Sequence, residues 1–355
     1  MAYGDIMGRA GQIGGTGGSW ANDNALFLKQ FSGEVLSAFD EFNVMMPLHT
    51  VRTITSGKTA QFPVIGTTSA DYHTAGTSVI DDAGQNNGAA NKTEYDYAAI
   101  KHSERIIGID DLLVVPQLIP SIDEAKSHYD YRSEYTRQMG AALARQTDRH
   151  LIRTMINGAL LGSQTAPLKD GGGQISIGGD NVAQNTITSA RLISALFEAA
   201  AILDGNDVPD QDRFVVLTPT LYYNLVSGSS GATAVDISTS IANSDIGGSG
   251  FGSGRAPMVA GFELYKSNNV LHEDTHYDSP SGMSSGGNND YSGENDDDVM
   301  GLVFHKSAVG TVKLMDLAVE SEYLVERQAT LMVAKYAMGH GLLRPEASIA
   351  LTINQ

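Results

Sequence analysis

Residues 120–160 read PSIDEAKSHYDYRSEYTRQMGAALARQTDRHLIRTMINGAL, and this stretch sets the organisation of the whole chain. Ser121 and Glu124 have the spacing of a helix capping box, and apolar residues then recur at near-helical intervals to the end of the stretch. An unbroken helix over these residues would be roughly 58 Å long at about 1.5 Å per residue, longer than a small domain is wide. The sequence therefore predicts a spine helix, with Gly140 and Gly158 as the positions where it bends or ends.

The residues before the spine helix change from helical to extended periodicity. Residues 1–24 are glycine-rich and predict an arm, and phenylalanines at four-residue spacing predict a short amphipathic helix after it. From residue 49 the pattern has period two on either side of residues 56–58, which predicts a β-hairpin. The longer excursion over 67–109 returns in a strand with no fully apolar face. Such a two-stranded arm is marginal alone in water, so we expect it to lie on another copy of the chain.

The residues after the spine helix alternate between strand and helix signals. Helical periodicity covers 189–203, a buried strand is expected at 214–217, and Thr218-Pro219 predicts the start of a short helix. From residue 302 onward the chain is rich in strand signals, although periodicity alone leaves its middle open to a helical interpretation. The pattern predicts a strand followed by a helix within a second domain beyond the spine helix.

The composition excludes several classes of protein. Cys 0 excludes disulfides, thiolate metal sites and a cysteine nucleophile. Lys+Arg 23 against Asp+Glu 41 gives a formal charge of −18, which argues against a protein that grips phosphate backbones or anionic lipid. Eight of the acidic residues, and no Lys or Arg, fall within 270–301. No apolar run approaches the ~20 residues of a membrane span and no apolar signal core is present, so we expect a soluble chain without an export or anchoring signal.

One segment, HEDTH at 272–276, matches H-E-x-x-H, the signature of zinc hydrolases. That chemistry needs both histidines on one helical face, with the glutamate activating a zinc-bound water. The flanking residues favour a loop, so a zinc site on His272, Glu273 and His276 is kept only as an alternative. Residues 282–286 match G-x-S-x-G, but in a Ser/Gly loop rather than between a strand and a helix. We therefore expect no catalytic residue, no metal and no cofactor.

Basic residues of the spine helix alternate with acidic ones. Arg132, Arg137 and Arg149, for example, interleave with Glu134 and Asp148. This spacing is typical of ion pairs within a helix or between subunits. It favours salt-bridged packing over contact with nucleic acid.

The sequence also contains long blocks that are typical of one protein family. They are ALFLK (25–29), GEVL (33–36), AQFPV (60–64), KHSERIIGIDDLL (101–113), HYDYRSEYTRQMG (128–140), GLVFHKSAVGTVKLMDLAVE (301–320) and AKYAMGHGLLRPEA (334–347). In this order they resemble the major capsid proteins of T-seven-like short-tailed (podovirus) double-stranded DNA bacteriophages. The resemblance covers most of the chain, is weaker from about residue 160 to 300, and does not include the first 24 residues.

The resemblance implies the Hong Kong 97 capsid fold, an α+β subunit in five parts. Residues 1–48 would be an N-terminal arm and 49–110 a hairpin with an extended loop. Residues 111–185 would form a peripheral domain with the spine helix, 186–328 an axial domain, and 329–355 the C-terminal strands of the peripheral domain.

The resemblance further implies a structural, non-enzymatic role. Subunits would self-assemble into pentamers and hexamers of an icosahedral shell, with a scaffolding protein and a portal as partners during assembly. The shell would enclose double-stranded DNA without sequence-specific binding and expand as DNA is packaged. The protein would be found in the virion, and in the host cytoplasm during assembly, without membrane contact. The alternatives are the zinc-dependent hydrolase and a cellular compartment shell of the same fold that holds protein cargo.

Residues expected at contacts between subunits come from the arm, the extended loop, the spine helix and the C-terminal block. They are Phe27, Phe31, Phe39, Gln85, Asn86, Asn87, Lys92, Tyr95, Tyr97, Arg132, Glu134, Arg137, Arg344 and Glu346.

Deletion of residues 81–92, the glycine- and asparagine-rich middle of the extended loop, is expected to leave a folded subunit that assembles poorly. The reason is that these residues have no apolar face for the subunit's own core. Circular dichroism would report folding and sedimentation would report assembly. Wild-type shell yield from the deletion variant would contradict the prediction.

Overall fold

The computed structural model describes the parts of the chain that form its main sheets and helices. The described residues are 43–65, 102–122, 132–161, 171–178, 187–227, 258–270, 291 and 299–353. They combine helices and strands in an α+β fold, as predicted. Within these ranges, no helix is both long and apolar enough to cross a membrane.

The spine helix, α1, spans Arg132–Ala159 and is 28 residues long. Its length is about 42 Å at ~1.5 Å per residue, and it continues through Gly140 without a break. The predicted first turns over 123–131 lie outside the described residues. Ser121, the predicted cap, donates its hydroxyl to the carbonyl of Gln328 at 2.9 Å.

Helix α1 contributes to two separate hydrophobic cores. Met139 and Leu143, in its first half, are buried in one cluster. Leu151, Ile152 and Met155, in its second half, are buried in another and larger cluster. The helix is therefore the common element on which two parts of the subunit pack.

The first core lies between α1 and a four-stranded sheet with the strand order β1-β10-β11-β4. The strands are β1 (Thr50–Thr53), β4 (Leu113–Pro120), β10 (Val309–Leu324) and β11 (Ala329–Leu342). Strands β10 and β11 are antiparallel from the Val309–Leu342 pair to the Leu324–Ala329 pair. The middle of the C-terminal region, which periodicity left open to a helical interpretation, is therefore a long strand.

The second core lies within a six-stranded sheet with the order β5-β12-β9-β6-β8-β7 and the helices that pack on it. The strands are β5 (Gln174–Ser176), β6 (Arg213–Leu217), β7 (Met258–Val259), β8 (Phe262–Lys266), β9 (Val299–His305) and β12 (Ser348–Thr352). The helices are α2 (Ser189–Gly205) and α3 (Pro219–Ser227). Thr188 caps α2, since its hydroxyl accepts a hydrogen bond from the backbone N–H of Arg191. Strand β6 is buried over its whole length, as the sequence predicted.

A two-stranded antiparallel ribbon forms the base of the extended loop, from β2 (Thr59–Ile65) and β3 (His102–Gly108). The predicted hairpin across residues 56–58 is wrong. Strand β1 pairs in parallel with β10, whereas β2 pairs with β3, so residues 56–58 connect two different sheets. Period-two alternation identified both strands correctly but carries no information about which strand is the partner.

The inner face of the ribbon packs on the four-stranded sheet at a point where that sheet lacks side chains. Ala60 and Ile107 of the ribbon are buried together with Val312 of β10. A Cβ placed on Gly339 of β11 would lie 1.8 Å from the carbonyl oxygen of Gly108. The two backbones approach closely because Gly339 has no side chain to hold them apart.

The predicted domain limits and the observed sheets divide the chain differently. The limit at 328/329 falls between β10 and β11, which are neighbours in one sheet. Strand β12, within the predicted peripheral segment 329–355, pairs with β5 and β9 in the six-stranded sheet. The C-terminal region therefore crosses between the two sheets twice, through β9 to β10 and through β11 to β12.

We predict that Gly339→Ala lowers the free energy of unfolding by about 3 kcal/mol or more, because the new methyl group would overlap the Gly108 carbonyl. Urea unfolding of the unassembled subunit measures the change. Hydrogen exchange should rise in β3 before it rises in β6.

Gly205→Ala is the matched control, because nothing lies within 4 Å of a Cβ at this last residue of α2. It is expected to be neutral or slightly stabilising. Equal stability of the two variants would show that the Gly108–Gly339 approach does not constrain the fold.

Candidate functional site

The outer face of the ribbon is an exposed surface with an apolar component. In the strand register, Gln61 pairs with Ile106 and Pro63 pairs with Glu104. Ile65 is 65% exposed and Ile106 is 56% exposed. We call Gln61, Pro63, Ile65, Glu104 and Ile106 the ribbon face. Its partly apolar character is typical of a surface that another protein covers.

A second exposed apolar group lies at the end of the four-stranded sheet, where β10 turns into β11. It comprises Ile122, Tyr323 and Val325, which are 59%, 42% and 69% exposed. The turn is held by Gln328, whose left-handed backbone has φ 48 and whose side chain accepts a hydrogen bond from the Tyr323 hydroxyl at 3.0 Å. This group is therefore presented on a defined turn.

Five of the predicted contact residues lie within the described ranges. Glu134 and Arg137 lie exposed on α1, with 3.7 Å between the Arg137 guanidinium and the Glu134 carboxylate. Arg344 and Glu346 pair with each other at 2.9 Å, and Glu346 is buried, so its carboxylate is used within the subunit. Arg132 is the first residue of α1. The other predicted contact residues lie outside the described residues, and they are Phe27, Phe31, Phe39, Gln85, Asn86, Asn87, Lys92, Tyr95 and Tyr97.

A polar hub is buried at the centre of the subunit, where the base of the N-terminal arm meets α1. Asp148 of α1 is fully buried and accepts hydrogen bonds from the backbone N–H groups of Val44 and Met45 at 3.0 and 3.1 Å. Asn269, which follows β8, reaches the same carboxylate at 3.4 Å. The sequence had predicted Asp148 as one half of an ion pair. Instead, it binds backbone N–H groups and joins three separate segments of the chain.

A chain of hydrogen bonds extends the hub into the four-stranded sheet. His49 Nδ1 lies 2.9 Å from the carbonyl oxygen of Met45, and His49 Nε2 lies 2.5 Å from the hydroxyl of Thr311 on β10. The same hydroxyl lies 2.8 Å from Nδ1 of His340 on β11. All three of His49, Thr311 and His340 are buried, so the chain is shielded from water.

Tyr291 brings the base of the extended loop into the same hub. Its hydroxyl donates to Asp110, which follows β3, and accepts from the backbone N–H of His340 at 3.1 Å. Its ring stacks on His150 of α1, with 4.3 Å between ring centroids and an interplanar angle of 6°. The hub therefore connects the arm, the spine helix, both long strands and the extended loop.

Burial shifts the pKa values of the hub's histidines and of Asp148 in the direction that favours their uncharged forms. It lowers the pKa of His49 to about 4 and that of His150 to about 4, and it holds the pKa of His340 well below its usual value. Burial also raises the pKa of Asp148 to about 6, against the opposing effect of its hydrogen bonds from Val44 and Met45. At neutral pH the histidines are thus uncharged.

The hub consists of hydrogen bonds between buried side chains and backbone groups. Among the described residues, no group of three or more His, Cys, Asp or Glu side chains is arranged to hold a metal ion. The H-E-x-x-H segment and the acidic residues of 270–301 fall in ranges outside the described residues, apart from residues 270, 291 and 299–301.

Sequence reasoning missed the hub because its members are far apart in the chain. His49 and Thr311 are 262 positions apart, and Tyr291 and Asp110 are 181 apart. One signal for the hub was available in the sequence. His340 lies within the block AKYAMGHGLLRPEA (334–347), one of the blocks on which the family resemblance rests. A histidine between two glycines in a strand is unusual enough to suggest a buried polar role.

Comparison with protein families gives one match over most of the chain. Residues 61–352 match the model of a family described as Gp10A-like, major capsid protein. The major capsid protein of Enterobacteria phage T3 is 36% identical over an alignment of 357 positions, which covers 96% of this chain and 96% of that protein. The major capsid protein of Escherichia phage T7 is 35% identical over 346 residues, with 92% of this chain and 91% of that protein covered.

Comparison with solved structures gives the same result for the fold. The capsid structure of the cyanophage P-SCSP1u is similar with a TM-score of 0.68 and 37% sequence identity. The match covers 88% of this chain and 88% of that chain. The Hong Kong 97-type fold that the sequence resemblance implied is therefore confirmed.

We predict that Asp148→Ala lowers the free energy of unfolding by about 2–4 kcal/mol, because it leaves the buried N–H groups of Val44 and Met45 without an acceptor. Urea unfolding of the unassembled subunit at pH 7 measures the change. Glu134→Ala, on the exposed side of the same helix, is the control and should change stability by no more than about 0.5 kcal/mol. An Asp148→Ala variant as stable as this control would contradict the assigned role.

Proposed function

The chain belongs to the Gp10A-like family of major capsid proteins, and from this premise we propose that its subunits form the pentamers and hexamers of an icosahedral shell around phage double-stranded DNA. It is a structural protein of the virion capsid. The observation that carries this function is similarity over nearly the whole chain, at 36% identity, to a phage major capsid protein.

We propose that the ribbon face is covered by a neighbouring subunit in the shell. A ribbon of two strands is not stable alone in water, and among the described residues it is the inner face that packs on the four-stranded sheet. The outer face exposes Ile65 and Ile106, and Ile106 belongs to the excursion over 67–109 that the sequence predicts to lie on another copy. Contact between copies would bury both isoleucines.

The apolar turn at Ile122, Tyr323 and Val325 is a second proposed contact between subunits. It lies at the far end of β10 and β11 from the Val309–Leu342 pair, and therefore far from the position where the ribbon docks. Two separated contact surfaces on one subunit are what a closed shell requires, because each copy must touch neighbours in more than one direction. Glu134 and Arg137, exposed on α1, are proposed as polar contacts beside them.

The charge of the chain suits a container for DNA better than a DNA-binding protein. The formal charge is −18, with Lys+Arg 23 against Asp+Glu 41. A wall of this sign repels phosphate groups over about a Debye length, roughly 8 Å at physiological salt. We propose that the packaged DNA is therefore confined without being bound, and that no catalytic step takes part.

The remaining partners and the division into domains are proposals that rest on the resemblance. A scaffolding protein and a portal would direct assembly before DNA enters. The peripheral domain would comprise α1 and the four-stranded sheet, and the axial domain would comprise the six-stranded sheet with α2 and α3. On this proposal β10 would belong to the peripheral domain and β12 to the axial domain; the pairing of β10 with β11 and of β12 with β9 supports this division.

We predict that Ile106→Asp folds but fails to assemble, because a charge on the ribbon face would be buried against a neighbouring subunit. Circular dichroism and thermal unfolding should match the wild type, since Ile106 is exposed in the single subunit. Sedimentation and negative-stain electron microscopy should show shells for the wild type and far fewer for the variant.

Ile106→Val keeps the surface apolar and serves as the control, with assembly close to that of the wild type. Normal shells from Ile106→Asp would show that the ribbon face is not a subunit contact. A wild-type chain that forms no shells or capsomers, even with a scaffolding protein supplied, would contradict the proposed function itself.

A further inference from the structure

The hydrogen-bond chain of the hub permits only one arrangement of protons. The Met45 carbonyl can only accept, so His49 Nδ1 must carry a hydrogen and donate it. In neutral His49, Nε2 is then an acceptor, and the Thr311 hydroxyl donates its hydrogen to it. The Thr311 oxygen in turn accepts from His340, which must carry its hydrogen on Nδ1. The network thus assigns the tautomers of both histidines.

Protonation of His49 is incompatible with this arrangement. A hydrogen on Nε2 would point at the Thr311 oxygen from 2.5 Å, at the position that the Thr311 hydrogen occupies. Thr311 would have to turn its own hydrogen elsewhere, and it is completely buried. The acceptor within reach is His340 Nδ1, which would first have to give up its own hydrogen, and the new positive charge is desolvated as well.

The charged groups around the hub do not neutralise a protonated His49. Lys306 and Lys313, from the turn before β10 and from β10 itself, disfavour its positive charge. Arg149 of α1 acts in the same way on His150, and the histidines His150 and His49 act on His340. The carboxylates of the hub already have partners, since Asp110 accepts from Tyr291 and Asp148 accepts from Val44, Met45 and Asn269.

The segment that His49 holds is the base of the N-terminal arm. Met45 and Leu48 are buried in the larger core, and the backbone N–H groups of Val44 and Met45 are bound by Asp148. Asn43 closes the segment by accepting from the N–H of Met46 at 2.7 Å. Residues 43–49 are therefore fixed by a few buried contacts.

We propose that His49, Thr311 and His340 form a proton-sensitive latch, which holds residues 43–49 against α1 while His49 is neutral and releases them when His49 is protonated. The proposal concerns the single subunit and does not rest on shell formation. It adds a conformational control to the point where the N-terminal arm leaves the subunit.

The sign of the pH dependence follows from the direction of each pKa shift. The pKa of His49 is lowered from 6.5 to about 4, so its contribution to the closed state is present above about pH 6.5 and is lost as the pH falls toward 4. The pKa of Asp148 is raised to about 6, so its protonation favours the closed state and opposes release over the same range. A variant that removes only the His49 contribution therefore separates the two effects.

His49→Gln is that variant, because the glutamine amide oxygen can accept from Thr311 but cannot be protonated in this range. Hydrogen exchange of the full-length chain, followed by mass spectrometry on peptides covering residues 43–49, measures release. The exchange rate of these peptides is corrected for the intrinsic pH dependence of exchange. The increase in this rate from pH 7 to pH 5 should be about 20-fold smaller in His49→Gln than in the wild type. An equal increase in both proteins would overturn the proposal.

His305→Gln is the matched control. His305 ends β9 and lies 2.7 Å from the Ser307 hydroxyl, outside the hydrogen-bond chain of the hub. It should respond to acid as the wild type does. The increase in exchange of residues 43–49 at pH 5 could be reduced equally in His305→Gln and His49→Gln. This result would also overturn the proposal, because removal of either histidine would then have the same effect.

If His49→Gln does not fold, hydrogen exchange of the wild-type chain alone tests the proposal. Between pH 7 and pH 5, peptides from 43–49 should lose protection while strand β6 at Arg213–Leu217 keeps it. Loss of protection in both regions at the same pH would mean global unfolding and would overturn the latch.

Discussion

Burial of one helix under two different sheets is the constraint on which the rest of the subunit depends. The first half of α1 packs Met139 and Leu143 against the four-stranded sheet, and the second half packs Leu151 and Met155 against the six-stranded sheet. Both sheets pack on this helix, and the short turns β9–β10 and β11–β12 also join them directly. Rotation of α1 about its axis would expose both cores at once.

The hub uses polar contacts to attach the outlying parts of the chain to this frame. Asp148 and His49 fix the base of the arm, and Tyr291 with Asp110 fixes the point where the ribbon joins β4. Such buried polar groups contribute less net stability than apolar packing would, but they accept only one geometry. For the proposed contacts of the arm and the extended loop with neighbouring subunits, a single geometry would matter more than additional stability.

Local sequence signals were sufficient to predict helices and strands. They were insufficient to predict which strands pair and which side chains meet. The spacing of apolar residues predicted the spine helix, α2 and the buried strand at 214–217, because each pattern repeats within one element. The hairpin across 56–58 was wrong because β1 and β2 find their partners about 260 and 40 positions away. Asp148 has the spacing of a helical ion pair, yet its carboxylate is used by the N–H groups of Val44 and Met45, which are more than 100 residues distant. The family resemblance supplied the overall fold, since similarity over long blocks carries the long-range pairing that periodicity lacks.

The fold, the two exposed apolar surfaces and the acidic charge fit the proposed subunit, which would enclose DNA through contacts with its own copies. The most direct test is an electron cryomicroscopy map of the particles that the full-length chain forms with its scaffolding protein. Closed icosahedral shells are expected, in which α1 spans both sheets of every subunit and a neighbour covers Ile65 and Ile106. Shells in which the ribbon face is open to solvent, or the absence of any ordered particle, would contradict this description of the subunit.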